Sequence, residues 1–148
     1  MENKSTEMAD SFIKRANNKL NEAKTHLERW NYPESISASQ ECIELSIKSI
    51  FLLLKREYPK KHEFDEEEFE KVIKEFPEKL KYLDIPKLYL YSKFWLQFYT
   101  IAKYGLETLG IGPEKLFEKE EAELAYKHAD RCLYAARIVL NFFMYEVK

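Results

Sequence analysis

Residues 33–64 constrain the fold of this chain more than any other stretch. They read as an amphipathic helix carrying Gln40, Glu44 and Lys48 at i, i+4 and i+8, followed by Lys61-His62-Glu63-Phe64. Residues four apart stack on one side of a helix, so these polar side chains form a ridge beside an apolar stripe of Ile36, Ile43, Ile47, Ile50 and Leu54. A stripe of that kind needs neighbouring helices to cover it. The ridge reads in two ways, as a structural strut or as a site. Glu44 ahead of Lys48 at i, i+4 stabilises an exposed helix by about 0.2–0.5 kcal/mol, and on local physics alone the strut is the better reading.

The neighbours are legible on both sides. Ala9, Phe12, Ile13, Ala16, Leu20, Ala23 and Leu27 recur at threes and fours, which predicts a first helix over 6–30. Asn31-Tyr32-Pro33 breaks it, and Pro33 suits the first turn of a second helix that runs to about Arg56, so the two form an antiparallel hairpin. Asp65 followed by Glu68 is a capping box opening a third helix, interrupted at Pro77; Glu78 to Leu83 adds further turns, and Asp84-Ile85-Pro86 resets the direction.

From Lys87 to about Leu109 one helix-length segment holds Tyr89, Tyr91, Phe94, Trp95, Phe98, Tyr99 and Tyr104 and is apolar nearly all round, so it is expected to be covered on several sides. Leu45 and Leu52 give helix two a second apolar side, and together with the aromatic helix they predict a self-association surface and a homodimer. Gly110-Ile111-Gly112-Pro113 is the strongest loop signal. Ala122, Ala125, Ala129, Cys132, Ala136, Val139, Phe143 and Val147 then mark a long last helix. Three glycines and five prolines among many Lys and Glu residues complete an all-α reading: one domain over 1–148, an antiparallel up-and-down bundle of four to five helices.

Charge and composition narrow the partners. Twenty-four basic against 26 acidic residues leave a net charge of -2, so no global field attracts nucleic acid and any such contact needs a local patch. No apolar leader precedes Asp10 and no run approaches the roughly 18 apolar residues of a membrane span, which predicts a soluble, cytoplasmic protein without a membrane partner. Cys42 and Cys132 sit at helical apolar spacing and are expected to be buried reduced thiols. Abundant Lys and Glu with Gln40 and Gln97 as the sole glutamines is the drift of thermophile proteins.

Several chemistries are excluded by spacing. A carboxylate-bridged two-iron bundle needs Glu three residues before His, whereas Ala23, Pro59 and Ala125 precede His26, His62 and His128. No Cys/His pairing supports zinc, and neither Gly110 nor Gly112 belongs to a phosphate-binding glycine loop, so no metal and no cofactor is expected. Ser35, Ser39, Ser46 and Ser49 lack a nucleophile elbow and read as close helix packing. Lys127, Arg131, Arg137 and His128 lie off the last apolar stripe; a solvated face with Glu123 pairing Lys127 is preferred over a phosphate contact.

The ordered set Ala9…Ala16…Leu20…Ala23…Leu27, Asn31-Tyr32, Ser39-Gln40-x-x-x-Glu44-x-x-x-Lys48, His62-x-Phe64, Ala102-Lys103-Tyr104-Gly105 and Glu121-Ala122…Ala129 resembles the HEPN domain over nearly the whole chain. The resemblance implies a helical bundle that commonly dimerises and is often encoded beside a small nucleotidyltransferase. The family name records nucleotide binding, and many members are RNA-cleaving toxins. In those, an Arg followed four to six residues later by His comes from the later helices of two facing copies; Arg holds the scissile phosphate and His serves as acid or base.

This chain departs from that pattern. It has no arginine between Arg56 and Arg131, Lys103 stands where the family often has Arg before Tyr-Gly, and no histidine follows Lys103 before His128. Arg56 and His62 alone have the spacing, in a different place. The expectation is therefore a non-catalytic HEPN-like homodimer, binding a nucleotide through Gln40, Glu44, Lys48, His62, Lys103 and Tyr104, or partnering a minimal nucleotidyltransferase in a two-component, toxin–antitoxin-like module. The alternatives are a metal-independent ribonuclease using Arg56 and His62, and a pure protein-interaction module.

Overall fold

Helix α1 (Lys4–Glu28) and helix α2 (Tyr32–Lys55) form the expected hairpin in the computed structural model, which describes residues 4–145. Pro33 occupies the first turn of α2, and Arg56 closes it in the left-handed conformation (φ 63°), its N–H donating to the Leu52 carbonyl at 3.0 Å. Helix α2 is the hub: α1, α3 (Glu66–Glu75), α4 (Ile85–Leu96), α5 (Tyr99–Tyr104) and α6 (Lys119–Tyr145) all pack on it. Its small residues allow close approach. Ser35 Oγ donates to the Ala23 carbonyl at 2.7 Å, and Cys42 Sγ reaches the Ala129 carbonyl at 3.7 Å. Ala122, Ala125, Ala129, Cys132 and Ala136 line the facing stripe of α6, all buried. Both cysteines are free and buried as expected, and burial pushes the Cys42 thiol up to about 12. Val147 of the predicted last stripe lies outside the described residues.

Surrounding α2 with five helices overturns one expectation. Leu52 is buried and Leu45 packs partly buried against the core, so the second apolar side of α2 is consumed within the protomer and does not form a free surface. The exposed apolar groups lie elsewhere, among them Tyr82, Leu90, Phe94, Tyr104, Leu109 and Tyr134.

The middle of the chain holds one predicted and one unpredicted feature. The capping box opens α3: Glu68 N–H donates to Asp65 Oδ1 at 2.8 Å, and Asp65 N–H donates to Glu68 Oε1 at 3.1 Å. The aromatic segment is not one helix over 87–109 but α4 and α5, broken at Gln97-Phe98, which raises the α-helix count to six. Neither Gly nor Pro causes the break. Phe98 adopts φ -96°, ψ -3°, and its half-buried ring packs against Phe94, Trp95 and Phe117 with centroids 5.4, 6.0 and 6.3 Å away. Tyr91 and Trp95 are buried, whereas Leu90, Phe94 and Tyr104 face solvent, so the segment is covered on one side only.

Gly105 ends α5 at φ 74°, where an added Cβ would stand 2.2 Å from the Ile111 carbonyl oxygen; this close approach demands the glycine. The class is all-α: the described residues hold no strand, only the isolated bridge Leu106–Ile111. No helix among them is long and apolar enough to cross a membrane.

Candidate functional site: a carboxylate shared by lysine and histidine

Phe64 determines where the loop after α2 goes. Its ring, 1% exposed, stacks on Phe51 of α2 at 5.6 Å and meets Phe69 of α3 edge-on at 5.7 Å. Charges hold the rest of the loop: Lys93 of α4 donates to Glu63 at 2.6 Å, and Lys61 lies 3.4 Å from Asp65. Contact with Lys93 lowers the Glu63 pKa, and the backbone N–H of Glu68 does the same for Asp65. The loop thereby delivers His62 to α2.

There His62 Nδ1 lies 3.0 and 3.1 Å from the two oxygens of Glu44, while Lys48 Nζ donates to Glu44 Oε2 at 2.8 Å. The side chains of Glu44 and Lys48 are 12% and 11% exposed, whereas that of His62 is 77% exposed. An ionised Glu44 places the ring proton on Nδ1, which leaves Nε2 as a bare acceptor open to solvent. Lys48 Nζ also sits 5.7 Å from the Tyr58 ring centre, with Lys60 Nζ at 5.1 Å and Phe12 edge-on at 5.1 Å. Beside Tyr58 opens a groove of about 250 Å³ with Phe51, Lys55, Pro59 and Lys71 in its walls. The whole therefore offers an aromatic face, several ammonium groups and one imidazole acceptor.

The other residues picked from sequence lie apart from this centre. Gln40 is 3% exposed and belongs to the buried side of α2 with Ile36 and Ile43, not to a solvent-facing ridge. Arg56 stands exposed at the end of α2, 12 residues beyond Glu44, a rise of about 18 Å along the helix. An arginine side chain spans less than half of that distance, so Arg56 does not reach Glu44, the carboxylate that holds His62. Lys103 lies over the Tyr99 ring at 4.5 Å, a contact that raises its pKa, and Tyr104 is 60% exposed. Through Tyr99, Lys103 of α5 borders a second polar centre, one turn before Glu44 on α2.

Sequence reasoning missed the hub of that second centre, Glu41. It takes Lys19 of α1 at 3.2 Å and the Tyr99 hydroxyl of α5 at 3.1 Å, tying three helices together. Its position between Gln40 and Glu44 was visible, but its partners are 22 and 58 residues away and leave no local signal. Tyr58 likewise carries no local signal of its contacts with Phe12, Lys48 and Lys60. On α6, Glu123 pairs with Lys119 at 3.9 Å rather than with Lys127, so the expected shielding of the basic strip does not form. Arg137 instead donates to Asn17 Oδ1 at 2.7 Å. Among the described residues no group of three or more His, Cys, Asp or Glu could hold a metal ion.

Comparison with known proteins agrees with this architecture. The model of the HEPN domain matches residues 9–142. The chain is 32% identical over 131 residues to "Putative toxin MJ1304" of Methanocaldococcus jannaschii, a match covering 84% of this chain and 83% of that protein. No solved structure matches the chain significantly.

Proposed function

Because this chain belongs to the HEPN domain family, we propose that it works as a non-catalytic, single-domain member of a two-component, toxin–antitoxin-like module in the cytoplasm. In this reading it is a homodimer that binds a nucleotide and pairs with a minimal nucleotidyltransferase. The observation that carries the non-catalytic part is the separation of Arg56 from His62: acid–base cleavage of a phosphodiester needs a cation and an imidazole at one phosphate. Glu44, the partner of His62, lies 12 residues before Arg56, a rise of about 18 Å along α2, and this offset supports a reading without such a pair within the protomer.

The nucleotide part rests on the Glu44 centre. A base stacks on an aromatic face and its phosphates pair with ammonium groups; the half-buried Tyr58 lines a groove with Lys55 and Lys71, beside Glu57 and Glu68, and Lys48 and Lys60 lie near the same ring. Lys103 and Tyr104 then belong to a separate contact reached through Tyr99. The test is calorimetric titration of the purified protein with nucleotides, alongside mass spectrometry of whatever co-purifies from the native host. Binding that weakens at least tenfold in Lys48→Ala and His62→Ala supports the reading; equal affinity in both variants removes it.

A second reading has its own support. The open Nε2 of His62, oriented by Glu44, is the acceptor a general base requires, and a similar protein bears a toxin's name. A metal-independent ribonuclease predicts RNA cutting that disappears in Arg56→Ala and His62→Ala.

A further inference from the structure

Trp95 Nε1–H donates to His128 Nδ1 at 2.9 Å, the Tyr91 ring stacks on the imidazole with centroids 3.8 Å apart, and the Arg131 guanidinium lies 5.8 Å from the centre of the Tyr91 ring while donating to its hydroxyl. Tyr91 is 5% exposed, so Arg131 is anchored on a buried phenol rather than swinging free. With Nδ1 accepting from the indole, the neutral ring keeps its proton on Nε2 and can only donate there.

The surroundings are one-signed. Burial first, then Arg131, Lys127 and Lys87, lower the His128 pKa to about 4, so three cations converge on this ring. No ion pair among the described residues neutralises Lys87, Lys127 or Arg131; nearby Lys81, Lys93 and Lys119 are each paired with a glutamate. A groove of about 310 Å³ opens beside them, lined by Lys87, Arg131, Tyr82, Tyr134 and Asp84. Two lining cations and neighbouring Lys127 outweigh the one carboxylate, and Tyr82 and Tyr134, 66% and 54% exposed, offer hydroxyls at the rim. Like charges held together without counter-ions are a cost that an anionic ligand removes. A guanidinium with its remaining N–H groups free favours phosphate geometry.

We propose that the groove between the start of α4 and the middle of α6 binds a small phosphate-bearing anion, held by Arg131 with Lys87 and Lys127. The site is separate from the Glu44 centre and does not depend on the nucleotide reading of that centre. Arg131 supplies the directional contact, Tyr91 positions it, and the two lysines add charge that salt screens.

Titrating the full chain with pyrophosphate by calorimetry at low ionic strength tests this, with inorganic phosphate, AMP and adenosine as parallel arms. The expected result is one pyrophosphate per chain, weakened about tenfold in Arg131→Gln and about threefold in each of Lys87→Gln and Lys127→Gln, with the thermal melts of the two lysine variants unchanged. Tyr91→Phe keeps every charge but releases Arg131, and a loss of about threefold is expected. AMP uptake with the same Arg131 dependence assigns a nucleotide-borne phosphate as the source; pyrophosphate alone assigns a free polyanion, and adenosine should not bind here. Absence of pyrophosphate binding by the folded protein, or equal affinity in Arg131→Gln and Lys87→Gln, overturns the proposal. A loss in Lys48→Ala without one in Arg131→Gln would place the anion at the Glu44 centre and overturn it equally, while leaving the nucleotide reading standing.

Discussion

His62 and His128 each present Nδ1 to one polar partner, and the partners impose opposite chemistry. Glu44 accepts a hydrogen bond from His62 Nδ1–H in the neutral ring and leaves Nε2 as an acceptor, on a ring that is 77% exposed. Trp95 Nε1–H donates a hydrogen bond to His128 Nδ1, so that the partly covered ring keeps a donor at Nε2 among three cations. One environment is made by a loop laid onto α2 and the other by helices α4 and α6 packed side by side. The same residue type thus becomes an open acceptor in one place and a fixed donor in the other, and the difference lies in what packs against it.

The comparison breaks most readily at the loop. Phe64→Ala empties a fully buried aromatic site and should cost about 3–5 kcal/mol; it should also release His62, seen as loss of its NMR coupling to Glu44 while His128 stays put. Unchanged stability by chemical denaturation would mean that charges, not the Phe51–Phe64–Phe69 stack, hold the loop. Next in size, Glu44→Ala leaves the nearly buried Lys48 ammonium without its carboxylate and should destabilise by roughly 3 kcal/mol, near the lower end for breaking a buried pair. Should Glu44→Ala cost well under 1 kcal/mol, the pair is effectively solvated and the centre is a surface feature.

The His128 side makes a smaller, pH-dependent prediction. The folded ring takes its proton only near pH 4 and the unfolded ring near 6.5, so the unfolded chain binds more protons between those values. Stability contributed by the neutral ring is therefore complete above about pH 6.5 and declines as pH falls toward about 4. After discounting for the ring's partial contact with solvent the decline is roughly 1–2 kcal/mol. In Trp95→Phe the His128 resonance should titrate at higher pH than in the parent, because the indole N–H that blocks Nδ1 is gone; an identical titration would show that the hydrogen bond is not formed in solution. The smallest effect belongs to Glu63→Gln, which removes the exposed contact to Lys93. Its melting temperature should drop slightly at low salt and match the parent at high salt.

How far these two regions could be read from sequence follows the range of their contacts. The α1–α2 hairpin, Pro33, and the Asp65–Glu68 capping box depend on residues three or four apart, and they appear where periodicity and cap chemistry place them. Glu44 beside Lys48 was legible for the same reason, and the HEPN pattern brought His62 into view. That His62 closes on Glu44 across 18 residues was not, nor that Gln40 turns inward. The α4–α5 break came without a breaker residue, and the Phe98 ring at the break packs against Phe117, 19 residues on, a contact with no local signal. The stack of Tyr91, His128 and Arg131 joins residues 37 to 40 apart on two helices, so only the basic residues of α6 were visible beforehand, and their buried anchor was not.

In the proposed reading this member of the family does not cut RNA, because Arg56, its one arginine with a histidine at ribonuclease spacing, lies 12 residues along the chain from Glu44, the carboxylate that holds His62. Incubating the purified protein with RNA in the presence of a metal chelator tests it directly. The account predicts intact RNA over many hours at protein concentrations in excess of the substrate. Cleavage that vanishes in both Arg56→Ala and His62→Ala would contradict it.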